Sequence, residues 1–473
     1  MWFITGLVLI YHSFPDVSQP QKNEKMDILP DSLLDINTVF SQLPDTDIKI
    51  KSLSLRNFQG QALFSIETKD STYTICNDTT QSVKPVTWET IEHVARKWVD
   101  APVSKIDTLN ERDIWIMYSR YVNEMPIYKF YFDDENKHQL YIASRSGEVQ
   151  QITTCEQRFW AWVGSIPHKL YIPALRKDAD NWVLALTIGG VVALITSLSG
   201  LYAGIYVLRQ RYITIKRIGI PYKKYWYKLH HISGLIFGIF LITFAFSGAM
   251  ALQKIPQWII KTHGDYRVTD SQVRGKHLST DSYILDYRTL KERYPDIKAI
   301  EWTYFQDTPI YNIVAGDKEI CIDASLAYVK ELNLPLEQIK KAVRNVHGKN
   351  EVIRVSIINR CEEYYLSREK DLPLPVYKIE VNNADKSCYY IDPKTGNFKY
   401  LNRSRKAKKW IFSGLHYLNI KCLIERPVLW TISIWTLCIG GVCVSLSGVW
   451  LGVKYVRRKI KLIIKTRNRS TIC

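Results

Sequence analysis

The sequence predicts an α-helical integral membrane protein that carries two α+β modules outside the bilayer. Its architecture is a duplicated helix–module–helix unit with four transmembrane helices, the first of them truncated. Three observations lead there: three long runs carry no charge, the positive charge is concentrated beside those runs, and much of the chain is written twice.

The runs 182–208, 229–252 and 428–453 contain no Asp, Glu, Lys or Arg. Each exceeds the roughly 20 residues that a helix needs to cross a bilayer core. A soluble helix of that length would show a charged stripe. The lipid bilayer is therefore an expected partner.

The formal net charge is +18 over 473 residues. Segment 209–228 holds seven Lys/Arg and no acid, and segment 454–473 holds eight and no acid. A nucleic-acid reader would spread such charge over a folded face, so no nucleic-acid partner is expected. Here the charge flanks apolar helices, which by the positive-inside rule puts both segments in the cytoplasm and the long segments on the opposite side.

The second half repeats the first. Trp162, His168, Leu170, Trp182, the Ser-Leu-Ser-Gly at 197–200, Gly204 and Arg209 recur at Trp410, His416, Leu418, Trp430, 445–448, Gly452 and Arg457, with an offset of 248 throughout. In the outer modules Pro126, Tyr128, Lys129, Tyr141 and Gly147 recur at Pro375, Tyr377, Lys378, Tyr390 and Gly396, with an offset of 249. Period-2 apolar patterns predict strands at 127–132 and 376–381, each followed by a second strand ending in a glycine turn. Amphipathic helices are predicted upstream at 87–98 and 336–346. Each module is expected to pass its last strand directly into a membrane helix.

The opening run 1–11 is too short to span and lacks the basic flank and cleavage site of a signal peptide. Thr5-Gly6 aligns with Ser247-Gly248 at an offset of 242, which would put the counterparts of His230 and His231 before Met1. The expectation is a chain that begins partway through its first membrane helix. The full division is then a truncated helix (1–12), a first module (13–158), a His segment with the second membrane helix (159–208) and a basic loop (209–228). A third membrane helix (229–252), a second module (253–407), a His segment with the fourth membrane helix (408–453) and a basic tail (454–473) follow.

Imidazole is the usual axial ligand of b-type haem, and two opposed imidazoles give a six-coordinate, electron-transferring iron. His168 and His416 stand at equal depth before two apolar runs and are the candidate axial pair. His230 and His231 open the third membrane helix at the cytoplasmic side, where one of them would ligate a second haem whose other ligand is missing. Adjacent residues point about 100° apart on a helix, so one of the two at most faces a given iron. The glycines near these helices suit close helix packing or a flat porphyrin. Interfacial histidines also serve as plain polar groups beside Trp and Tyr belts, and that reading stays open. His12, His263 and His347 have no repeated partner, and His93, His138 and His277 are expected to be solvated.

Among the nine Cys there is no C-x-x-C or C-x-x-C-H, which argues against covalent haem attachment and thiolate zinc sites. Cys76, Cys155, Cys321, Cys361 and Cys388 fall on the outer side, where disulfides form. Neither cytoplasmic segment is long enough to fold a flavin or nicotinamide domain, and no G-x-G-x-x-G or Walker motif is present. Electrons would come from quinol or a membrane donor.

The run Tyr225-Trp226-x-x-Leu229-His230-His231-x-x-Gly234 leading to Phe246-Ser247-Gly248, the two Trp-x5-His-x-Leu…Ser-Leu-Ser-Gly helices and the two Tyr-Lys…Gly modules resemble the PepSY-associated transmembrane (PepSY-TM) family. The resemblance covers nearly the whole chain. It implies PepSY-like modules in the periplasm, a bacterial inner-membrane location, one or two haem b groups, and a reductase acting on a ferric siderophore or another periplasmic acceptor. A PepSY-type binding or regulatory protein without redox activity, and an iron or siderophore transport component, are the alternatives.

Overall fold

The computed structural model describes residues 1–44, 50–217, 219–275, 279–348, 352–369 and 371–470, with side chains to 464. His277, expected to be solvated, lies outside the described residues. The expected fold class is corrected. The protein is a mixed α+β fold in which three β-sheets are built among the described residues, and three helices rather than four are long and apolar enough to cross a membrane. These are Ala179–Ile215, Tyr225–Ala249 and Pro427–Ile464, below called the first, second and third spans. Helix Trp2–Leu9 has eight residues. At 1.5 Å per residue it rises about 12 Å, well short of a hydrocarbon core of about 30 Å.

Strands β1 (Ile50–Phe58), β2 (Gln61–Thr68) and β3 (Thr72–Cys76) come from the first half of the chain. Strands β4 (Val103–Leu109), β5 (Ile127–Phe132), β6 (Gln139–Ala143) and β7 (Val149–Thr153) follow them. The second half supplies β8 (Ile297–Phe305), β9 (Thr308–Ala315) and β10 (Lys318–Asp323). It then supplies β11 (Ile353–Ile358), β12 (Val376–Val381), β13 (Cys388–Ile391) and β14 (Phe398–Leu401).

The outer modules are not two separate units, because β1–β3 and β8–β10 merge into one six-stranded sheet of order β10-β9-β8-β1-β2-β3. At its centre Leu53, Ser54 and Leu55 pair antiparallel with Trp302, Glu301 and Ile300. Phe58 and Phe305 end equivalent strands, and on that offset Ser54 corresponds to Glu301, the residue it faces. The joint is thus a repeat paired with its own copy, the self-complementary geometry of a two-fold interface. Leu53, Leu55, Phe64 and Ile66 share a single core with Ile300, Trp302, Tyr311 and Ile313. Burying each such side chain contributes about 1.5–3 kcal/mol, so neither half completes this core without the other.

Flanking it are two matching units, each a helix on a four-stranded antiparallel sheet. Helix Trp88–Trp98 packs on β4-β5-β6-β7, and helix Leu336–His347 packs on β11-β12-β13-β14. Thr87 caps the first helix in a capping box with Thr90. Its inner face places Ile91 and Ala95 against Phe130, Leu140 and Ile142. Both units clip to the central sheet in the same way. A Cβ on Gly147 would stand 2.8 Å from Phe58, and one on Gly396 would stand 2.7 Å from Phe305. Both glycines have positive φ, +67° and +73°, so two independent constraints favour glycine there. A buried polar cluster also recurs. Lys129 (3.1 Å) and the Tyr141 hydroxyl (3.0 Å) meet Asp113, while Lys378 and the Tyr390 hydroxyl meet Glu362.

The last strands do not pass directly into the spans. Short helices Cys155–Val163, Ser165–Lys169 and Pro173–Arg176 intervene after β7. After β14 come Arg403–Lys408, a π-helical turn Lys409–Gly414, and Leu415–Tyr417. Leu170 and Leu418 end the His-bearing helices in the left-handed region, at φ 49° and 52°. The freed carbonyls are capped from the spans: Trp182 Nε1 donates to the Lys169 carbonyl (2.7 Å) and Trp430 Nε1 to the Tyr417 carbonyl (2.9 Å). That is a structural reason for the repeated tryptophans. The spans pack through small residues, as membrane helices do. A Cβ on Gly190 of the first span would stand 2.8 Å from that of Ala249 in the second, and one on Gly441 of the third would stand 2.6 Å from Phe3.

Candidate functional site

His168 and His416, one from each half, face each other with ring centroids 6.2 Å apart and planes at 72°. Two imidazoles bonded to opposite sides of one metal atom at about 2 Å each hold their ring centres roughly 6 Å apart. His416 is flanked by Phe244 (5.9 Å, edge) and Phe412 (5.5 Å, stacked). Although both histidines open onto a cavity, they lie deep in the fold. Burial, and for His168 next the charge of His416, pushes each imidazole down to about 4. Both are therefore neutral at physiological pH, the form that binds a metal.

Each ring is held by a hydroxyl on a neighbouring helix. His168 Nδ1 lies 2.9 Å from Thr5 Oγ1 and His416 Nδ1 lies 3.0 Å from Ser247 Oγ. His230 Nδ1 lies 3.0 Å from Ser447 Oγ, repeating the arrangement at the other end of the spans. The next residue is a glycine every time. A Cβ on Gly6, Gly248 or Gly448 would stand 3.5, 3.6 or 3.2 Å from the imidazole Cε1. The hydroxyl binds the ring and the glycine leaves room for it.

His231 differs from the other three. It sits edge-on to Tyr222 at 5.3 Å, and its Nε2 is buried without a hydrogen-bond partner. The structure thus separates the two adjacent histidines, and His230 is the one held like the outer pair. Ser199-Gly200, the counterpart of Ser447-Gly448 in the first repeat, meets no imidazole among the described residues; Ser199 bonds the Ile195 and Thr196 carbonyls of its own helix. No second imidazole is held opposite His230 among the described residues.

All four histidines line one cavity of about 1210 Å³, together with Lys169 and Arg368 near the outer pair. This exceeds the roughly 300–1,000 Å³ of a single small-ligand pocket. Among the described residues no group of three His, Cys, Asp or Glu could hold a bare metal ion. Two opposed imidazoles in a wide apolar cavity fit a group that carries its own equatorial ligands, as a porphyrin does.

The remaining histidines have other work. His12 stacks on Trp160 at 4.3 Å, His263 meets Asp385 at 3.2 Å, and His347 Nε2 reaches the Tyr389 hydroxyl at 2.6 Å. His93 is exposed, whereas His138 is half-buried and bonded to Asp134 at 2.7 Å. Cys76, Cys155, Cys321, Cys361 and Cys388 are free thiols. The hydroxyls of Thr5, Ser247 and Ser447 were visible in the sequence only as half of a recurrent Ser/Thr-Gly. Their partnership with histidine has no local signature.

With this geometry in hand, one class of domain can be recognised. Residues 333–398 match the PepSY family, described as the peptidase propeptide and YPEB domain. The match spans helix Leu336–His347 and strands β11 to β13, and stops at Phe398, the first residue of β14. The chain therefore contains a PepSY domain, and the unit at 87–153 has the same order of one helix and four antiparallel strands. No curated protein matches the chain.

Proposed function

We propose that this chain is a haem-b electron-transfer protein of the bacterial inner membrane, as the resemblance to the PepSY-TM family implies. Its modules stand in the periplasm, and loop 209–228 and the C-terminal tail lie in the cytoplasm. It passes electrons from quinol or another membrane donor to a periplasmic acceptor, a ferric siderophore being the candidate. The observation that carries this reading is the opposition of His168 and His416 at 6.2 Å on one large, mostly apolar cavity.

Bound haem supplies one-electron redox chemistry at its iron. The chain's own residues do the rest. His168 and His416 offer neutral imidazoles from both sides, and Lys169 and Arg368 offer cations suited to propionate carboxylates. His230 offers an imidazole for a second haem toward the basic side. Ser247, beside His416, follows His230 by 17 residues on the second span. That is roughly 25 Å of helix, most of a bilayer core of about 30 Å. Two sites so spaced suit transfer across the membrane.

Purified full-length protein is expected to show a Soret band with resolved α and β bands, weakened in His168→Ala or His416→Ala. A colourless protein that takes up no haem would overturn the reading. The PepSY match by itself favours a second one, a membrane-anchored binding or regulatory protein, and that colourless result would support it.

A further inference from the structure

The three held histidines share a feature that decides which ring nitrogen is free. A serine or threonine hydroxyl has a single proton to donate. In each case an acceptor of its own helix takes it: Thr5 Oγ1 donates to the Trp2 carbonyl (3.1 Å), Ser247 Oγ to the Phe244 carbonyl (3.1 Å), and Ser447 Oγ to the Cys443 carbonyl (2.6 Å). With its proton on that carbonyl, such a hydroxyl can only accept toward the imidazole. The contact at 2.9, 3.0 and 3.0 Å then requires a proton on Nδ1 of His168, His416 and His230. For His230 the Val444 carbonyl, a pure acceptor 3.2 Å from the same Nδ1, demands the same proton independently.

We infer that Thr5, Ser247 and Ser447 are positioning residues that fix His168, His416 and His230 as Nδ1–H tautomers and leave each Nε2 lone pair free for a metal. A partner on one ring nitrogen sets which nitrogen ligates, orients the ring and raises its basicity. The following glycine is part of the device, since it lets the ring approach the backbone close enough for the bond. His231, with no hydroxyl on Nδ1 among its described contacts, lies outside the set. The identity of the metal group on Nε2 rests on the haem reading; the tautomer does not.

Two measurements separate these claims. In full-length protein with 15N-labelled histidine, kept free of haem, the ring nitrogen shifts of His168, His416 and His230 should report Nδ1–H, whereas a neutral histidine side chain in water favours Nε2–H. Thr5→Val and Ser247→Ala should each move only the facing histidine toward the Nε2–H form, whereas His230 in Ser447→Ala should keep Nδ1–H on the Val444 carbonyl. Thr5→Ser, Ser247→Thr and Ser447→Thr should restore the wild-type signature. Thr243→Val, which removes a hydroxyl bonded to the Phe240 carbonyl of its own helix, should leave all three unchanged. Nε2–H in the wild type, or unchanged tautomers in Thr5→Val and Ser247→Ala, would overturn the inference. In haem-loaded protein the same three variants should keep their haem but shift its midpoint potential positive, because the ligand becomes a poorer donor. A protein that binds no haem would remove the proposed function, and the tautomer measurement would still decide the inference.

Discussion

On the proposed haem reading, single side chains set the properties of the site at His168 and His416, because each half supplies one imidazole. His168→Ala and His416→Ala should each abolish the six-coordinate low-spin spectrum of that site. His231→Ala should leave the haem content of the protein unchanged, while His230→Ala should lower it, as pyridine haemochrome assays would read. Gly448→Leu places a bulky side chain where Cβ alone would be 3.2 Å from the His230 ring. It should remove the haem at His230 and spare the outer one. At this scale the sequence was informative about the four histidines and silent about their partners. His168 and His416 recur at a constant offset, and repetition is visible without a structure. That His230 and not His231 is held follows from the direction of two neighbouring side chains toward Ser447 and Tyr222, which spacing along one helix cannot rank.

Elements were easier to read. Strands β5 and β12, and the helices capped or begun at Thr87 and Leu336, follow from period-2 and helical apolar patterns with ordinary caps. Their stability should depend on the same residues. Phe130 is fully buried under helix Trp88–Trp98. Phe130→Ala should destabilise that unit by about 3–5 kcal/mol, measured by denaturant unfolding followed through tryptophan fluorescence. The short helices that carry His168 and His416 were harder. They depend on left-handed Leu170 and Leu418 and on indole caps from Trp182 and Trp430, contacts that join a helix to a span 13 residues away. An apolar run shows where a span lies but not that its entry is folded back on itself.

At the scale of the whole molecule the central sheet is the surprise. It ties the two repeats together outside the spans, as the opposed histidines join them at the candidate site. Ser54 pairs with strands on both sides, β2 and β8. Ser54→Pro removes a backbone donor from an interior strand, a change that costs about 3 kcal/mol or more in regular structure. It should loosen both halves together, seen as lowered melting of the protein and loss of the outer haem spectrum. The proposed topology can be checked in cells. With exposed Cys155 and Cys422 replaced by Ser, Tyr328→Cys should react with an impermeant maleimide from outside, and Lys223→Cys only after permeabilisation. The reverse pattern would overturn that orientation.

Hydropathy, charge asymmetry and internal repetition are properties of the chain as written, so the sequence by itself located the three long apolar helices, the basic segments, the repeated elements and the four histidines. What binds each ring could not be read there. The contacts that hold His168, His416 and His230 join residues 163, 169 and 217 positions apart. The pairing of β1 with β8 likewise closes a loop of more than two hundred residues. Such pairings are decided by which faces of distant elements are buried together, and only the folded chain settles that. For the same reason only the tertiary structure joined the two expected modules into one α+β body.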